Sequence, residues 1–141
     1  MISEEDVNKR IAEMGAQISE DYAGKEIHLI AILKGSVFFA CELAKRITIP
    51  VTIDFMSVSS YGNSRESSGI VKIAKDLDEP ILDKEVLVVE DIIDSGRTLS
   101  YLLEILSARK PASLKLCTLL DKPDRRVMPV HVDYTGFEIP D

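Results

Sequence analysis

Hydrophobic positions fall into two rhythms along this chain. Between residues 3 and 22, Val7, Ile11, Met14 and Ile18 recur at helical spacing, and Ser3 followed by Asp6 has the form of a capping box. Gly24 is well placed to end that helix. Ile27-His-Leu-Ile-Ala-Ile-Leu33 is instead a short apolar run, as expected of a strand buried on both faces of a parallel sheet. Lys34-Gly35 interrupts it, and a helix is predicted from Ser36 to about Ile47. Pro50 precedes a strand from Val51 to Val58, with Val51, Ile53 and Phe55 on one face.

Residues 59 to 69 are small and polar without periodicity, either a disordered connection or a mobile loop with a task. Extended structure is predicted to resume over Ile70 to Ile73, with Lys72 as a surface strand residue, and a charged turn covers Asp76 to Lys84. Val86 to Val89 is the clearest buried strand, and Glu90 to Arg97 is predicted as a loop. From Thr98 onward, Leu99, Leu102, Leu103 and Leu106 form one apolar helical stripe. Pro111 ends that region. Ser113 to Leu120 reads as a strand, Asp121 to Arg126 as a charged turn, and His131 to Ile139 as a final strand. Strands alternating with helices predict an α/β fold with a mostly parallel sheet covered on both faces and ligands at the strand C-termini.

The 141 residues fit one domain, 1–141, long enough to bury roughly two-thirds of the unfolded surface without disulfides or structural metal. With 17 Lys+Arg against 24 Asp+Glu the net charge is −7, which argues against binding nucleic acid or an anionic membrane through bulk electrostatics. A phosphorylated small molecule stays open, because a local nest of backbone N–H groups can hold phosphate. No window is apolar enough to span a membrane, and the acidic start Met1-Ile-Ser-Glu-Glu-Asp is unlike a secretory signal. Cys41 and Cys117 lie in apolar segments and are expected to be buried free thiols. Without a Cys/His cluster no zinc site is expected. His28 and His131 have no partner at ligand or triad spacing and are assigned packing or surface roles. A reducing, cytoplasmic location is expected.

The chemistry concentrates in Val86-Leu-Val-Val-Glu-Asp-Ile-Ile-Asp-Ser-Gly-Arg-Thr-Leu99. A buried strand runs into adjacent carboxylates Glu90 and Asp91, then Asp94, then Ser95-Gly96-Arg97-Thr98 opening a helix. Gly96 permits a tight turn, and successive N–H groups with a helix N-terminus face an anion. The hydroxyls of Ser95 and Thr98 can add hydrogen bonds. Glu90 and Asp91 suit sugar hydroxyls or a hard cation such as Mg²⁺. Taken singly, Asp94 or Ser95 could merely cap the helix and Glu90-Asp91 could be a solvated loop. Three carboxylates crowded at a strand end, however, repel one another unless a cation or polyol sits among them.

The segment Val88 to Leu99 resembles the phosphoribosyl-pyrophosphate (PRPP) motif of type I phosphoribosyltransferases, and the rest of the chain is similar to their hypoxanthine-guanine branch. Leu33-Lys34-Gly35 resembles that branch's pyrophosphate loop, and Ser59-Ser-Tyr-Gly62 the start of its mobile lid, about 59–70. Leu119-Leu-Asp-Lys-Pro123 resembles the purine-contacting segment, and Gly136 to Asp141 the run into the base-stacking hood. The resemblance implies a type I phosphoribosyltransferase fold with a small, incomplete hood, and transfer of phosphoribose from PRPP to hypoxanthine or guanine, giving IMP or GMP and pyrophosphate.

It implies Asp94 as acid/base at purine N7; Ser95, Gly96, Arg97 and Thr98 on the 5′-phosphate; and Glu90 and Asp91 on the ribose hydroxyls and Mg²⁺. Lys34 and Gly35 would bind pyrophosphate next to a cis peptide between Leu33 and Lys34. Lys122, otherwise readable as a solvated turn lysine, would donate to purine O6. Ser60 and Tyr61 would belong to the lid that excludes water, and neither is read as a nucleophile. A homodimer or homotetramer is implied. The family's run beyond the Phe-Glu-Ile-Pro-Asp match supplies base stacking and a further metal ligand, and the residues up to Asp141 do not include it. That leaves a second expectation beside the enzyme: a PRPP- or nucleotide-binding fragment, or a regulatory relative, without useful turnover.

Overall fold

The computed structural model describes residues 1–60 and 71–141. Most of the expected lid, 61–70 with Tyr61, lies outside the described residues, and Ser60 is the last residue of its strand. The elements are α1 (Glu4–Asp21), β1 (Ile27–Ile32), α2 (Val37–Lys45), β2 (Val51–Ser60), β3 (Val71–Lys75), β4 (Glu85–Ile93), α3 (Arg97–Ser107), β5 (Ser113–Asp121), a single 3₁₀ turn at Pro123–Arg125, and β6 (Tyr134–Glu138). The α1 cap forms as its sequence requires, with Ser3 Oγ accepting from the Asp6 amide at 3.0 Å. Among the described residues, no helix is long and apolar enough to cross a membrane.

The strands form one sheet ordered β3-β2-β1-β4-β5-β6, parallel except for β3, which runs antiparallel to β2. Alternation along the central strands divides the core in two. Ile27, Leu29 and Ala31 of β1 and Leu87 and Val89 of β4 pack with α1 and α2. Ile30 and Ile32 of β1 and Val86 and Val88 of β4 pack with α3. This explains why β1 and the first half of β4 are apolar on both faces apart from His28 and Glu85 near their starts, since both faces are covered. The chain order reverses between β1 and β4, and the loops that follow these two strands flank the resulting crevice at the carboxyl edge, where open α/β sheets bind ligands.

Five expectations need correction. Ser59 and Ser60, expected in the polar connection, extend β2 because they pair with Lys72 and Val71 of β3. Glu90 to Ile93 belong to β4, because the ladder to β5 continues through Glu90↔Thr118, Ile92↔Leu120 and Ile93↔Asp121, so the connecting loop is only Asp94–Gly96. The last strand is shorter than His131–Ile139. Residues before Tyr134 are irregular, and Asp133 ties back to the Leu116 backbone through both its amide and its carboxylate. Helix α2 ends at Lys45, short of Ile47. Cys41 is exposed while Cys117 is buried, because α2 buries Phe39, Ala40 and Leu43 and Cys41 falls on the opposite side. As expected, Lys72 is exposed on β3, His28 is buried, and His131 is on the surface beside Asp133 at 3.2 Å.

Candidate active site

The end of β4 delivers the acidic pair to opposite faces of the sheet. Continuing the strand's alternation, Glu90 follows Val86 and Val88 onto the α3 face and Asp91 follows Leu87 and Val89 onto the α1–α2 face. Glu90 lines a cavity of about 190 Å³ together with Asp94, Ser95, Gly96, Thr98 and, from β1, Ile32. Asp91 instead lies next to the β1–α2 loop. A methyl group added at Gly35 would sit 3.9 Å from its Cβ and 4.0 Å from its Oδ2. The Leu33–Lys34 peptide in that loop is cis.

The two carboxyl groups share one electrostatic signature. Burial pushes Glu90 up to about 7, reinforced by the neighbouring Asp91 charge and opposed by the Asp91 amide, which donates to Glu90 Oε1 at 3.0 Å. Burial raises Asp91 as well. Among the described residues no ion pair to either group is seen. Carboxylates raised by burial and not paired with a basic side chain can accept from hydroxyls or hold a hard metal ion.

The turn after β4 is built around Gly96. Its φ of +81° is in the left-handed region, and a Cβ there would lie 2.8 Å from the Met128 carbonyl oxygen and 2.9 Å from Val130 Cγ2. Only glycine satisfies both constraints without displacing backbone. Helix α3 begins at the next residue. The Ser95 hydroxyl accepts from the Arg97 amide at 3.3 Å, and the Ser100 amide reaches the Gly96 carbonyl at 2.8 Å. The amides of Thr98 and Leu99 belong to the first turn, where no intrahelical acceptor exists, so this end of α3 presents donors and a positive dipole end to the cavity.

Asp94, exposed at the rim, faces Lys122 across the β5 turn, Oδ1 to Nζ 3.7 Å. The Lys122 amide also donates to the Ile93 carbonyl at 3.0 Å, which fixes the base of the lysine against the end of β4. Of the predicted residues, Glu90, Asp94, Ser95, Gly96 and Thr98 therefore share one cavity and Lys122 joins it through Asp94, while Gly35 lies beside Asp91 on the other face of the sheet. Lys34 is exposed in the cis-peptide loop, and Arg97 is half-buried in the first turn of α3.

Arg126 was absent from the sequence-based site. Its guanidinium donates to the Asp94 carbonyl at 2.9 Å and pairs with the buried Asp121 carboxylate, while the Val127 and Met128 amides donate to the Ser95 carbonyl at 2.8 and 3.1 Å. The only sequence signal was a conspicuous pair of arginines, Arg125-Arg126, in a turn that reads as solvated.

Comparisons with known proteins bear on this arrangement. The family model described as a phosphoribosyl transferase domain matches residues 3–141. The chain is 52% identical to the hypoxanthine phosphoribosyltransferase of Salmonella typhimurium, covering all of this chain and 80% of that protein. It is 49% identical to the hypoxanthine-guanine phosphoribosyltransferase of Mycobacterium avium, covering 99% of this chain and 72% of that one. Among solved structures, a hypoxanthine-guanine phosphoribosyltransferase from Bacillus anthracis, with a HEPES molecule in its active site, superimposes with a TM-score of 0.95 at 51% identity over 99% of this chain and 83% of its own. A hypoxanthine phosphoribosyltransferase from Staphylococcus aureus gives 0.97 at 47% identity over all of this chain and 77% of its own.

Proposed function

Because the chain belongs to the phosphoribosyltransferase family, we propose that it transfers the 5-phosphoribosyl group of PRPP to a 6-oxopurine, hypoxanthine or guanine, giving IMP or GMP and releasing pyrophosphate in purine salvage. The observation that carries this reading is the Asp94–Lys122 pair, 3.7 Å apart beside the glycine turn that opens α3. A 6-oxopurine presents N7 and O6 side by side on one edge. An ammonium donates to O6, and the adjacent carboxyl exchanges a proton at N7 as N9 bonds to C1′ and the C1′–pyrophosphate bond breaks. Adenine presents its own donor at position 6 to the lysine and is disfavoured. A positioned acid/base group of this kind contributes roughly 10²–10⁴ in rate.

Where the remaining residues lie supports the other roles. Ser95, Gly96, Arg97 and Thr98, at the α3 N-terminus, hold the 5′-phosphate through backbone amides and hydroxyls. Lys34 and Gly35 hold the departing pyrophosphate. Glu90 and Asp91 accept from the ribose hydroxyls, and two hard carboxylate oxygens raised by burial suit a hard divalent ion. Among the described residues no group of three or more such donors gathers, so Mg²⁺ would complete its shell with substrate oxygens and water, its usual habit. When bound, Mg²⁺ neutralises charge on the pyrophosphate leaving group. Two free cysteines, Cys41 exposed and Cys117 buried, suit a reducing cytoplasm.

Incubation of the chain with PRPP, Mg²⁺ and hypoxanthine or guanine should yield IMP or GMP, with adenine converted far more slowly. PRPP binding without nucleotide formation would favour the non-catalytic reading instead.

A further inference from the structure

We propose that Arg126 is the positioning residue of the phosphate turn, setting the direction of the Ser95 amide and with it the affinity for the 5′-phosphate. The inference rests on the assignment of that turn to a sugar phosphate, and it goes beyond it by naming what holds the donors in place. In a trans peptide the carbonyl of one residue and the N–H of the next point in opposite directions. Among the described residues the only cis bond is Leu33–Lys34, so the Asp94–Ser95 and Ser95–Gly96 peptides are both trans. Fixing the Asp94 carbonyl therefore fixes the Ser95 N–H, and fixing the Ser95 carbonyl fixes the Gly96 N–H.

Both carbonyls are held from one side. Arg126 Nη1 donates to the Asp94 carbonyl at 2.9 Å, and the Val127 and Met128 amides donate to the Ser95 carbonyl. The same segment closes over Gly96, whose added Cβ would lie 3.0 Å from Arg126 Cδ and 2.8 Å from the Met128 carbonyl oxygen. With the carbonyls turned toward residues 126–128, the Ser95 and Gly96 amides are turned away from them, and both residues line the opposite cavity. Donors fixed before the anion arrives avoid reorganisation on binding.

Arg126 is itself rigidly seated. Its other terminal nitrogen pairs with Asp121, which is buried, at the end of β5. Asp121 is the register partner of Ile93 and precedes Lys122. One planar guanidinium thus staples the end of β5 to the residue after β4. Asp94 is gripped at its carbonyl by Arg126 and at its carboxylate by Lys122. A lysine ammonium on its shorter stem does not reproduce a two-pronged fork.

The test is a titration of the full chain with ribose 5-phosphate, read by amide nitrogen–proton NMR and by the dissociation constant. In the wild type the Ser95 and Gly96 amide protons should both move downfield. In Arg126→Met the Ser95 response should be lost while Gly96, held by the Val127 and Met128 amides, keeps its own, and the dissociation constant should rise on the order of tenfold. Arg126→Lys, which retains the charge opposite Asp121, should show the same selective loss and decides the matter if the methionine variant does not fold. Arg125→Met, whose parent side chain pairs with Asp141 at the surface, should match the wild type. Equal Ser95 responses in wild type and Arg126 variants would overturn the role of Arg126 and leave the phosphate site standing. A wild type with no response at Ser95 or Gly96 would overturn the phosphate assignment, and this inference with it.

Discussion

The two edges of the sheet hold similar charges and use them differently. At the amino edge a cavity of about 700 Å³ is walled by carboxylates, including Glu26, Asp54, Asp78, Glu79 and Glu85. Its inner carboxylates, Asp54 and Glu85, are already engaged. Asp54 accepts from the Phe55, Asp78 and Glu79 amides, Glu85 accepts from Ser113 and pairs with Lys25, and His28 Nδ1 is 2.7 Å from Thr52 Oγ1. His28 Nε2 has no partner among the described residues, but it is buried out of reach of water. At the carboxyl edge the cavity is only about 190 Å³, yet burial raises both Glu90 and Asp91, neither has an ion pair among the described residues, and the first turn of α3 has amides with no intrahelical acceptor. Volume marks where the chain leaves room. Unsatisfied polar capacity marks where a ligand can be recognised, and the smaller cavity has it.

The sharpest way to break this contrast is Asp94→Asn, which should lower kcat by roughly 10²–10⁴ while leaving PRPP affinity within a few-fold. Steady-state kinetics alongside direct PRPP titration would decide it, since equal losses in both would reduce Asp94 to a residue that supports binding without moving a proton. Next in size, Lys122→Met should cut kcat/KM for hypoxanthine at least about tenfold and narrow its advantage over adenine. Gly96→Ala forces a left-handed φ on a residue with a Cβ and drives it against the Met128 carbonyl. It should cost about 1–3 kcal/mol in a urea melt and weaken ribose 5-phosphate binding.

The two edges should also respond oppositely to pH. Glu90 is raised from 4.5 to about 7 by burial, so its contribution to stability is fully present below about 4.5 and is lost as pH rises through about 7. Glu90→Gln should flatten the ligand-free stability curve over that interval. Burial lowers the pKa of His28, so its contribution is present above 6.5 and is lost as pH falls through its depressed value. His28→Gln should reduce that acid-side loss and leave the other limb alone. The smallest effect belongs to the large cavity: Glu79→Gln should leave turnover within about twofold, because surface changes of this kind are nearly neutral.

The core of this account was readable from residue order alone, because the PRPP-like run keeps strand, carboxylates, glycine and helix start contiguous, and each has a local cause. What escaped the sequence depends on partners distant along the chain. Glu90 to Ile93 look like a loop until β5 pairs with them, since two carboxylates in a row carry no strand signal of their own. Arg126 reaches Asp94 across 32 positions, and nothing near Arg126 marks it as other than a solvated turn residue. Cys41 sits in an apolar stretch, but helix α2 buries one side only and turns the thiol outward. Lys122 was recoverable only because its segment resembles a known purine-contacting run.

The most direct test of the central claim maps amide shifts of the intact chain on addition of PRPP with Mg²⁺. The account predicts responses concentrated at 33–35, 90–98 and 122, with 26–28, 52–54 and 78–85 unmoved. Responses centred on the amino edge, with the turn at Ser95-Gly96 silent, would contradict it.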